Sequence, residues 1–361
     1  SLREMAEPLG VTPTLLTGRL SAAERTEALD KMATGESRLI VGTHALIQEG
    51  VEFDRLGLVV VDEQHRFGVR QRIVLGEQDT RPDVLVMSAT PIPRSLALTL
   101  YGHLDVSVLN ELPPGRKTIQ TALRRPGARS QVYDFVGEQV GRGRQAYIVY
   151  PLVEESEKVD LLSATQEFDR LSEEVFPDLR LGLLHGQLTG DEKDRIMRSF
   201  RDGEIDVLIA TSVIEVGIDV PNATVMIIEH AERFGLSQLH QLRGRVGRGA
   251  AESHCILVAD PGEEAAERLK IFRDTTDGFA IARADLSIRG QGDLFGSQQH
   301  GKDPVLRFAD LMADEDLLTI AQRDARALVA ADPDLERPEH RKIRDHLDER
   351  YRHRLEMYRV G

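Results

Sequence analysis

An internal repeat constrains the fold of this chain more than any other feature of its sequence. When the sequence is shifted by 168 residues, Leu15–Leu20 falls on Leu183–Leu188. The match continues without a gap as far as Thr43, which falls on Thr211. A repeat of this length predicts two copies of one structural unit, although two unrelated domains with similar loops would also explain it.

Each copy has the residue pattern of an α/β unit. Ser21–Glu24 and Thr189–Glu192 are capping boxes, which predict the start of a helix. Short apolar runs at 39–41 and 207–209 then predict buried parallel strands. The predicted helix stops between them are Gly35 and Gly203. Because helix and strand follow in the same order twice, the predicted fold class is α/β with parallel sheets.

Further apolar runs complete the sheets and set the predicted domain boundaries. They predict strands at 58–61, 84–87, 146–150, 226–228 and 256–258, with Asp62 and Glu229 directly after the first and the fourth. The segment 112–116 contains two prolines and a glycine, and it predicts a hinge. Beyond Thr275 the alternation stops, and a glycine-rich stretch leads into a helical tail. The predicted domains are 1–115, 116–275 and 276–361.

Composition narrows the classes of function. The net charge of −14 argues against a passive binder of polyanions, but not against a motor with a local DNA track. No apolar run is long enough for a membrane span. The only cysteine, Cys255, excludes an internal disulfide and suits a reducing cytoplasm, and its apolar neighbours predict a buried thiol. No cysteine and histidine residues have the spacing of a zinc site.

Acids and hydroxyls follow the strands of the first copy, where the reactive groups of parallel sheets gather. Asp62 and Glu63 suit nucleotide hydrolysis, since one carboxylate can hold Mg²⁺ and the other can orient or deprotonate the attacking water. Ser88 and Thr90 follow the next strand, where their hydroxyls can sense a γ-phosphate. The alternatives are a solvated strand end for the acids and an ordinary turn or cap for the hydroxyls.

The second copy supplies arginines. The segment Gln241–Gly249 places Arg245 and Arg248 three residues apart, which predicts that they share one face of a helix. A guanidinium group matches phosphate oxygens, and an arginine finger stabilises charge in the transition state. A solvated basic helix is the alternative, and the closely spaced glycines argue against it. The segment 211–221 carries acids and hydroxyls to the same cleft, or is simply a connection from strand to helix.

These motifs occur in the order of motifs II, III, V and VI of superfamily 2 helicases. The chain also resembles the RecG family along nearly all of its length, in 42–47, 62–72, 88–94, 231–249, and 277–279 leading into 285–293. The last segment resembles the translocation motif that RecG helicases share with the transcription-repair coupling factor. The resemblance implies two RecA-like parallel-sheet helicase domains, the first incomplete, and a C-terminal helical and loop-rich domain with the translocation motif.

The resemblance further implies an enzyme that uses ATP and Mg²⁺. Asp62 would hold the metal ion, and Glu63 would activate the attacking water. The residues that link the nucleotide to domain movement would be Gln64, His65, Ser88 and Thr90. The residues that close on the phosphates or lie near the nucleotide would be Gln241, Arg245, Arg248, Gly217 and Asp219.

DNA is the partner that the resemblance implies. RecG helicases couple ATP hydrolysis to movement on duplex DNA, and they reverse stalled forks and migrate Holliday junctions. Thr43 and Thr211 lie at matching strand ends, where they would hold DNA phosphates. Arg289, Gln298 and Gln299 would pass the movement to the duplex arms. We further expect a bacterial cytoplasmic monomer, with single-strand-binding protein as a candidate partner.

Two departures from the family bear on these expectations. The sequence contains no Gly-x-x-x-x-Gly-Lys-[Ser/Thr] phosphate-binding loop. We therefore expect a C-terminal fragment of a longer motor, and we expect that the fragment alone does not hydrolyse ATP. The segment 291–301 also differs from the translocation motif of the family, so individual contacts there stay open.

Two other functions were weighed against a RecG-like motor. A duplex translocase like the coupling factor is disfavoured by Gln64, Gln71 and the stretch 307–311. A nucleic-acid-binding module without hydrolysis would have no use for Glu63, Arg245 and Arg248. The tail at 336–359 is predicted to be a solvated helix that packs on the motor, with a DNA contact as the alternative.

Overall fold

The structure of the chain is a computed structural model. It describes residues 2–48, 50–62, 82–88, 105–109, 111, 116–151, 157–211, 219–289 and 314–349. Several predicted site residues lie outside these ranges, namely Glu63, Gln64, His65, Thr90, Gly217, Gln298 and Gln299. The chain divides into two compact units, which are residues 1–89 with 327–361 and residues 90–326.

The first unit contains two pairs of parallel strands among its described residues. Its elements are α1 (Leu2–Ala6), β1 (Thr14–Leu16), α2 (Ala22–Ala33), β2 (Ile40–Gly42), β3 (Leu58–Val61) and β4 (Asp83–Val86). Strand β1 pairs with β2, and β3 pairs with β4. A small core forms where Ala28 and Met32 of α2 pack with Leu16 and Ala45.

The strands of the first unit are less buried than their sequence predicts. Ile40 and Val41 are only partly buried. In β3 and β4, Leu58 is 58% exposed and Leu85 is 50% exposed. A two-stranded sheet offers a side chain fewer neighbours than a wide sheet does, so an apolar run alone does not ensure burial. The prediction is correct about these strands and wrong about the full burial of the run at 39–41.

The second unit is built on a six-stranded parallel sheet. Its strands are β5 (Gln120–Arg124), β6 (Gln145–Tyr150), β7 (Leu181–Leu184), β8 (Val207–Thr211), β9 (Ala223–Glu229) and β10 (His254–Val258). Their order across the sheet is β5-β10-β9-β6-β8-β7. Strands β8 and β9 are buried along their whole length, as expected of apolar runs in the middle of a parallel sheet.

Helices cover both faces of this sheet. They are α3 (Arg129–Gly141), α4 (Glu157–Arg170), α5 (Gly190–Arg201), α6 (Leu236–Arg243), α7 (Glu263–Asp274) and α8 (Gly278–Arg289). One apolar layer includes Val136 of α3, and the other includes Phe200, Leu239 and Phe272 of α5, α6 and α7. Cys255 lies in the latter layer and is fully buried, which confirms the prediction for its thiol.

The repeat is confirmed at the level of individual hydrogen bonds in the two capping boxes. Helices α2 and α5 have 12 residues each. The N–H of Glu24 donates to Ser21 Oγ at 3.3 Å, and the N–H of Glu192 donates to Thr189 Oγ1 at 3.4 Å. The reciprocal bonds from the N-cap N–H groups to the glutamates measure 2.9 and 2.8 Å. Both helices therefore begin in the same way.

The strands that flank these helices also pair in the same register. Thr14 lies opposite Ile40 in the first unit, and Gly182 lies opposite Leu208 in the second. Each pair is therefore separated by the same length of chain. The predicted helix stops have left-handed φ values of +74° and +78°, at Gly35 and Gly203 respectively. These two segments are copies of one α/β unit.

Two helical segments follow α8 in the described part of the chain. They are α9 (Glu315–Ala331) and a helix at 341–349. No helix that the structure describes is long and apolar enough to cross a membrane. The predicted glycine-rich stretch after Arg289 lies outside the described residues. The predicted boundaries at 115 and 275 stay predictions.

Candidate functional site

The two arginines of the second unit lie on a turn that follows helix α6. The helix ends at Arg243, and Gly244 forms its C-cap. Gly247 then has a φ of +74°, which lies in the left-handed region and does not occur within a helix. The prediction that Arg245 and Arg248 share one helical face is therefore wrong, because the glycines end the helix before the first of them.

The glycines of this turn allow close packing against neighbouring backbone and side chains. A Cβ atom at Gly247 would lie 2.8 Å from Ile119 Cγ1, and a Cβ atom at Gly249 would lie 2.5 Å from the carbonyl oxygen of Pro221. Neither contact is possible without a shift of the chain. The turn therefore lies directly against the segment that ends at Pro221, and packing alone explains these two glycines.

This close approach brings Arg248 to a carboxylate. Its Nη1 lies 3.6 Å from Oδ1 of Asp219, and its Nε donates to the carbonyl oxygen of Gly244 at 3.0 Å. The side chains of Arg248 and Asp219 are 36% and 54% exposed. An ion pair of this length and exposure is weak, so an anionic ligand can compete for the guanidinium group. Gln241, which was also predicted to bind the phosphates, lies half-buried on α6.

A buried tyrosine lies within the electrostatic reach of the arginine turn. Tyr147 of β6 is 1% exposed, and its ring packs edge-on against Phe200 with 4.9 Å between ring centres. Burial raises the pKa of Tyr147 to about 12, while the charges of Arg245 and Arg248 act in the opposite direction. The phenol is therefore neutral, and it lies within the electrostatic reach of both arginines. Sequence analysis missed this residue because it lies within an apolar strand.

A third arginine of the same segment is buried. Arg243 is 3% exposed, and its Nη1 donates to the carbonyl oxygens of Phe272 and Thr275 at 3.0 and 2.9 Å. Its neighbour His240 has a pKa lowered to about 4, because burial and the charge of Arg243 both disfavour protonation. A neutral ring can accept a hydrogen bond, and Nδ1 of His240 lies 3.4 Å from Nη2 of Arg243. Sequence analysis did not single out either residue.

The acid that ends β9 belongs to a buried polar cluster. Glu229 is fully buried, and its Oε2 accepts from Nε of Arg129 at 3.0 Å. Its Oε1 accepts from the hydroxyl of Tyr133 at 2.8 Å. Burial, with the neighbouring carboxylate, raises the pKa of Tyr133 to about 12, so the phenol stays protonated and donates. Glu229 is thus held by protein groups on both oxygens.

The described site residues of the first unit lie at the carboxyl ends of its strands. Asp62 follows β3, Ser88 lies just beyond β4, and Thr43 follows β2, and all three are exposed. By contrast Thr211, the repeat counterpart of Thr43, is 2% exposed. In the described part of the chain, no group of three or more histidine, cysteine, aspartate or glutamate side chains could hold a metal ion. Asp62 therefore offers a single carboxylate.

Helix α8 carries Arg289 as its last residue, and this helix is attached to α6. Oδ2 of Asp285 accepts from the hydroxyl of Ser237 at 3.1 Å. At its start, Oδ1 of Asp277 accepts from the N–H of Phe279 at 2.9 Å. The segment that resembles a translocation motif thus begins on a helix that contacts α6, and the arginine turn directly follows α6.

Comparison with known families divides the chain into three matched regions. The family described as DEAD/DEAH box helicase matches residues 1–99. The helicase conserved C-terminal domain matches residues 128–250, which include the arginine turn. The family described as ATP-dependent DNA helicase RecG, domain 3, C-terminal, matches residues 275–358. The α/β helicase fold with RecA-like units is therefore confirmed.

Relatives with high sequence identity match nearly the whole chain. The ATP-dependent DNA helicase RecG of Thermotoga maritima is 54% identical over 315 residues, which are 87% of this chain and 40% of the relative. The RecG helicase of Bacillus subtilis is 48% identical over 348 residues, or 96% of this chain and 51% of the relative. The chain belongs to the RecG family. It spans about half the length of these RecG relatives, or less.

Solved structures give the same assignment. A structure of RecG bound to a three-way DNA junction is 49% identical, with a TM-score of 0.67, and the alignment covers 88% of this chain and 41% of that one. The Saccharomyces cerevisiae protein Dbp5, bound to RNA and ADP BeF3, has a TM-score of 0.52 at 17% identity. The latter match shows a shared fold only.

Proposed function

We propose that this chain forms part of an ATP-dependent motor that moves on duplex DNA and remodels forks and Holliday junctions. The observation that carries the proposal is the turn of Arg245 and Arg248, which the contact of Gly249 holds against Pro221 and whose Arg248 guanidinium group is only weakly paired with Asp219. Family membership supports the reaction class, since the relatives are named ATP-dependent DNA helicases. A non-hydrolysing binding module would not need this arrangement.

In the proposed reaction, residues of the first unit bind the metal ion and activate the attacking water. Asp62 fits one ligand position of Mg²⁺, because this ion is commonly held by one or two carboxylates together with phosphate oxygens and waters. When bound there, the ion would neutralise charge on the phosphates. Glu63 activates water, and a second group of residues responds to the nucleotide, namely Gln64, His65, Ser88 and Thr90.

The second unit contributes the arginines. In this proposal Arg248 leaves Asp219 when a nucleotide enters, because a phosphate offers it a stronger, bidentate partner than a carboxylate at 3.6 Å. Arg245, half-buried and within the electrostatic reach of Tyr147, stabilises the charge that develops on the transferred phosphoryl group. Gln241 and Gly217 lie beside the nucleotide in the same scheme.

DNA contacts are proposed at the strand ends and on the segment after α8. Thr43 is exposed and can reach a phosphate with its hydroxyl, whereas Thr211 would first have to become accessible. Arg289, Gln298 and Gln299 are proposed to act on the duplex arms. A monomeric state and an interaction with single-strand-binding protein belong to the same proposal.

The test is ATP turnover with and without forked DNA. It compares the 361-residue chain alone with a fusion. In the fusion, the part of the Thermotoga maritima relative that lies N-terminal to its matched region is joined to the start of this chain. We expect no turnover by the chain alone and DNA-stimulated turnover by the fusion. A folded fusion that binds forks without hydrolysing ATP would refute the proposal. Turnover by the chain alone would show that other residues hold the phosphates.

Two variants of the fusion address the arginines directly. Arg248→Ala should lower kcat by about 10³, the lower end of the effect of an arginine finger. The matched control is Arg273→Ala, because Arg273 is exposed and pairs only with its neighbour Asp274, at 2.7 Å, among the ion pairs of the described residues. The control should keep its turnover. Equal losses in the two variants would contradict the assigned role of Arg248.

A further inference from the structure

Arg243 takes a position on helix α6 that an apolar residue would normally fill. Leu236, Leu239 and Arg243 follow the spacing of one helical face, and all three are buried. Burial of a guanidinium group is costly unless its N–H groups are hydrogen-bonded, and burial lowers the pKa of Arg243 accordingly. The group nevertheless stays charged, because arginine does not lose its proton in proteins. A leucine would satisfy the packing of this face at less cost.

The partners of Arg243 explain how the charge is tolerated. Its Nη1 donates to the carbonyl oxygens of Phe272 and Thr275, and its guanidinium carbon lies 4.1 Å from the centre of the Phe272 ring. Both carbonyls belong to the last turn of α7 or directly follow it, where the negative end of the helix dipole favours a cation. Among the described residues no carboxylate pairs with Arg243. Nη1 of Arg243 therefore binds the C-terminal end of α7 through two backbone carbonyl oxygens.

This attachment fixes the direction in which the chain leaves α6. Arg243 is the last residue of the helix, and the arginine turn begins with the next residue. On its other side the turn is held by Val246, which is fully buried, and by the contact of Gly249 with Pro221. A leucine at position 243 would fill space but would not bind two carbonyl oxygens, so α6 could rotate or slide against α7. Such a shift would carry Arg245 with it.

We propose that Arg243 is a positioning residue for ATP hydrolysis, which sets the placement of Arg245 through its two bonds to the end of α7. The inference rests on the proposed function, since it assigns a role within that reaction. Arg243 touches neither nucleotide nor water. It acts on the rate of phosphoryl transfer only through the arginine that it places.

The experiment is a double-mutant cycle in the ATP-hydrolysing fusion. Arg243→Leu should lower kcat about tenfold or more, with little change in the KM for ATP, because a misplacement of about 1 Å is enough for such a loss. In a fusion that already carries Arg245→Lys, the same change should lower kcat by less than about twofold. Loss by the same factor in both backgrounds would overturn the inference, because a residue that acts only on stability would behave additively.

Controls separate this result from folding and from the proposed function. Arg268→Leu removes a similar bond, from Arg268 Nη2 to the carbonyl oxygen of Glu232 at 2.6 Å, and its effect on kcat should be the same in both backgrounds. If Arg243→Leu does not fold, Arg243→Gln keeps a polar group that is too short to bind both carbonyl oxygens and should show the same non-additivity. A fusion without turnover in any form refutes the proposed function, whereas an active fusion with an additive cycle refutes only this inference.

Discussion

Removal of Arg129 should destabilise the second unit more than any loss of a surface ion pair. Glu229 is fully buried, and both its oxygens are occupied, one by Arg129 and the other by the hydroxyl of Tyr133. In an Arg129→Met variant the methionine fills part of the space, but the carboxylate keeps only the tyrosine. The variant thus leaves a buried charge without its counter-charge, which is among the costliest single changes in a protein.

The expected loss is about 3 kcal/mol in the free energy of unfolding, the lower end of the range for a broken buried pair. The lower end applies because the side chain of Arg129 is 36% exposed, so water can replace part of the lost bonding. Arg129→Met combined with Glu229→Gln should recover most of this loss, since the glutamine carries no charge. The control is Arg180→Met, whose pair with Asp206 is 59% exposed on the arginine side and should therefore contribute much less to stability.

The assay is urea unfolding of the 361-residue chain, followed by near-ultraviolet circular dichroism. The chain has six tyrosines and no tryptophan. Tyr133, Tyr147 and Tyr150, half of the tyrosines, lie on α3 and β6, so a large part of the tyrosine signal reports on the second unit. A loss below about 1 kcal/mol for Arg129→Met, or a double variant no more stable than the single one, would refute the reasoning that the charge of Glu229 is held by Arg129.

Three further predictions concern stability and use urea unfolding, followed by far-ultraviolet circular dichroism where the first unit is concerned. Gly249→Ala should destabilise the second unit by about 1–3 kcal/mol through its clash with backbone, whereas Gly137→Ala, which meets open space within α3, should be neutral or stabilising; equal effects would contradict the packing argument. Ser21→Ala and Thr189→Ala should each cost about 1 kcal/mol in their own unit, and a loss in only one would show that the two caps are not equivalent. Because the pKa of His240 is lowered to about 4 in the folded chain, protonation of its ring favours the unfolded chain, and the free energy of unfolding should fall between pH 6.5 and 4. His240→Asn should remove this part of the loss. The same fall in the variant would refute the assignment to His240.

The sequence predicted those parts of the fold that depend on local pattern. The capping boxes at Ser21 and Thr189 involve residues three positions apart, so their sequence spacing is sufficient evidence for the helix start. The strands followed from apolar runs in the same way. Burial did not follow as well, because the exposure of Leu58 and Leu85 depends on which residues pack against their strands, and no single run encodes that.

The candidate site was predicted less completely, because its geometry depends on distant contacts. Arg129 and Glu229 are 100 residues apart, and no local pattern links them. The turn after α6 was mistaken for a helix, since the spacing of the two arginines does not show that the helix ends at Arg243 or that Gly247 is left-handed. The predicted roles of the site residues stay predictions until the fusion and its variants are measured.

The glycine contacts of the arginine turn have a consequence for how relatives of this chain should be interpreted. Gly249 is required by the carbonyl oxygen of Pro221, whether or not a nucleotide ever binds. A descendant that had lost hydrolysis would still be selected to keep this glycine for as long as the fold was useful. Its Arg248 would be under no such constraint, since this residue is one-third exposed and only weakly paired. When related sequences are compared, conserved glycines therefore indicate that the fold is kept, and conserved arginines indicate that ATP hydrolysis is kept.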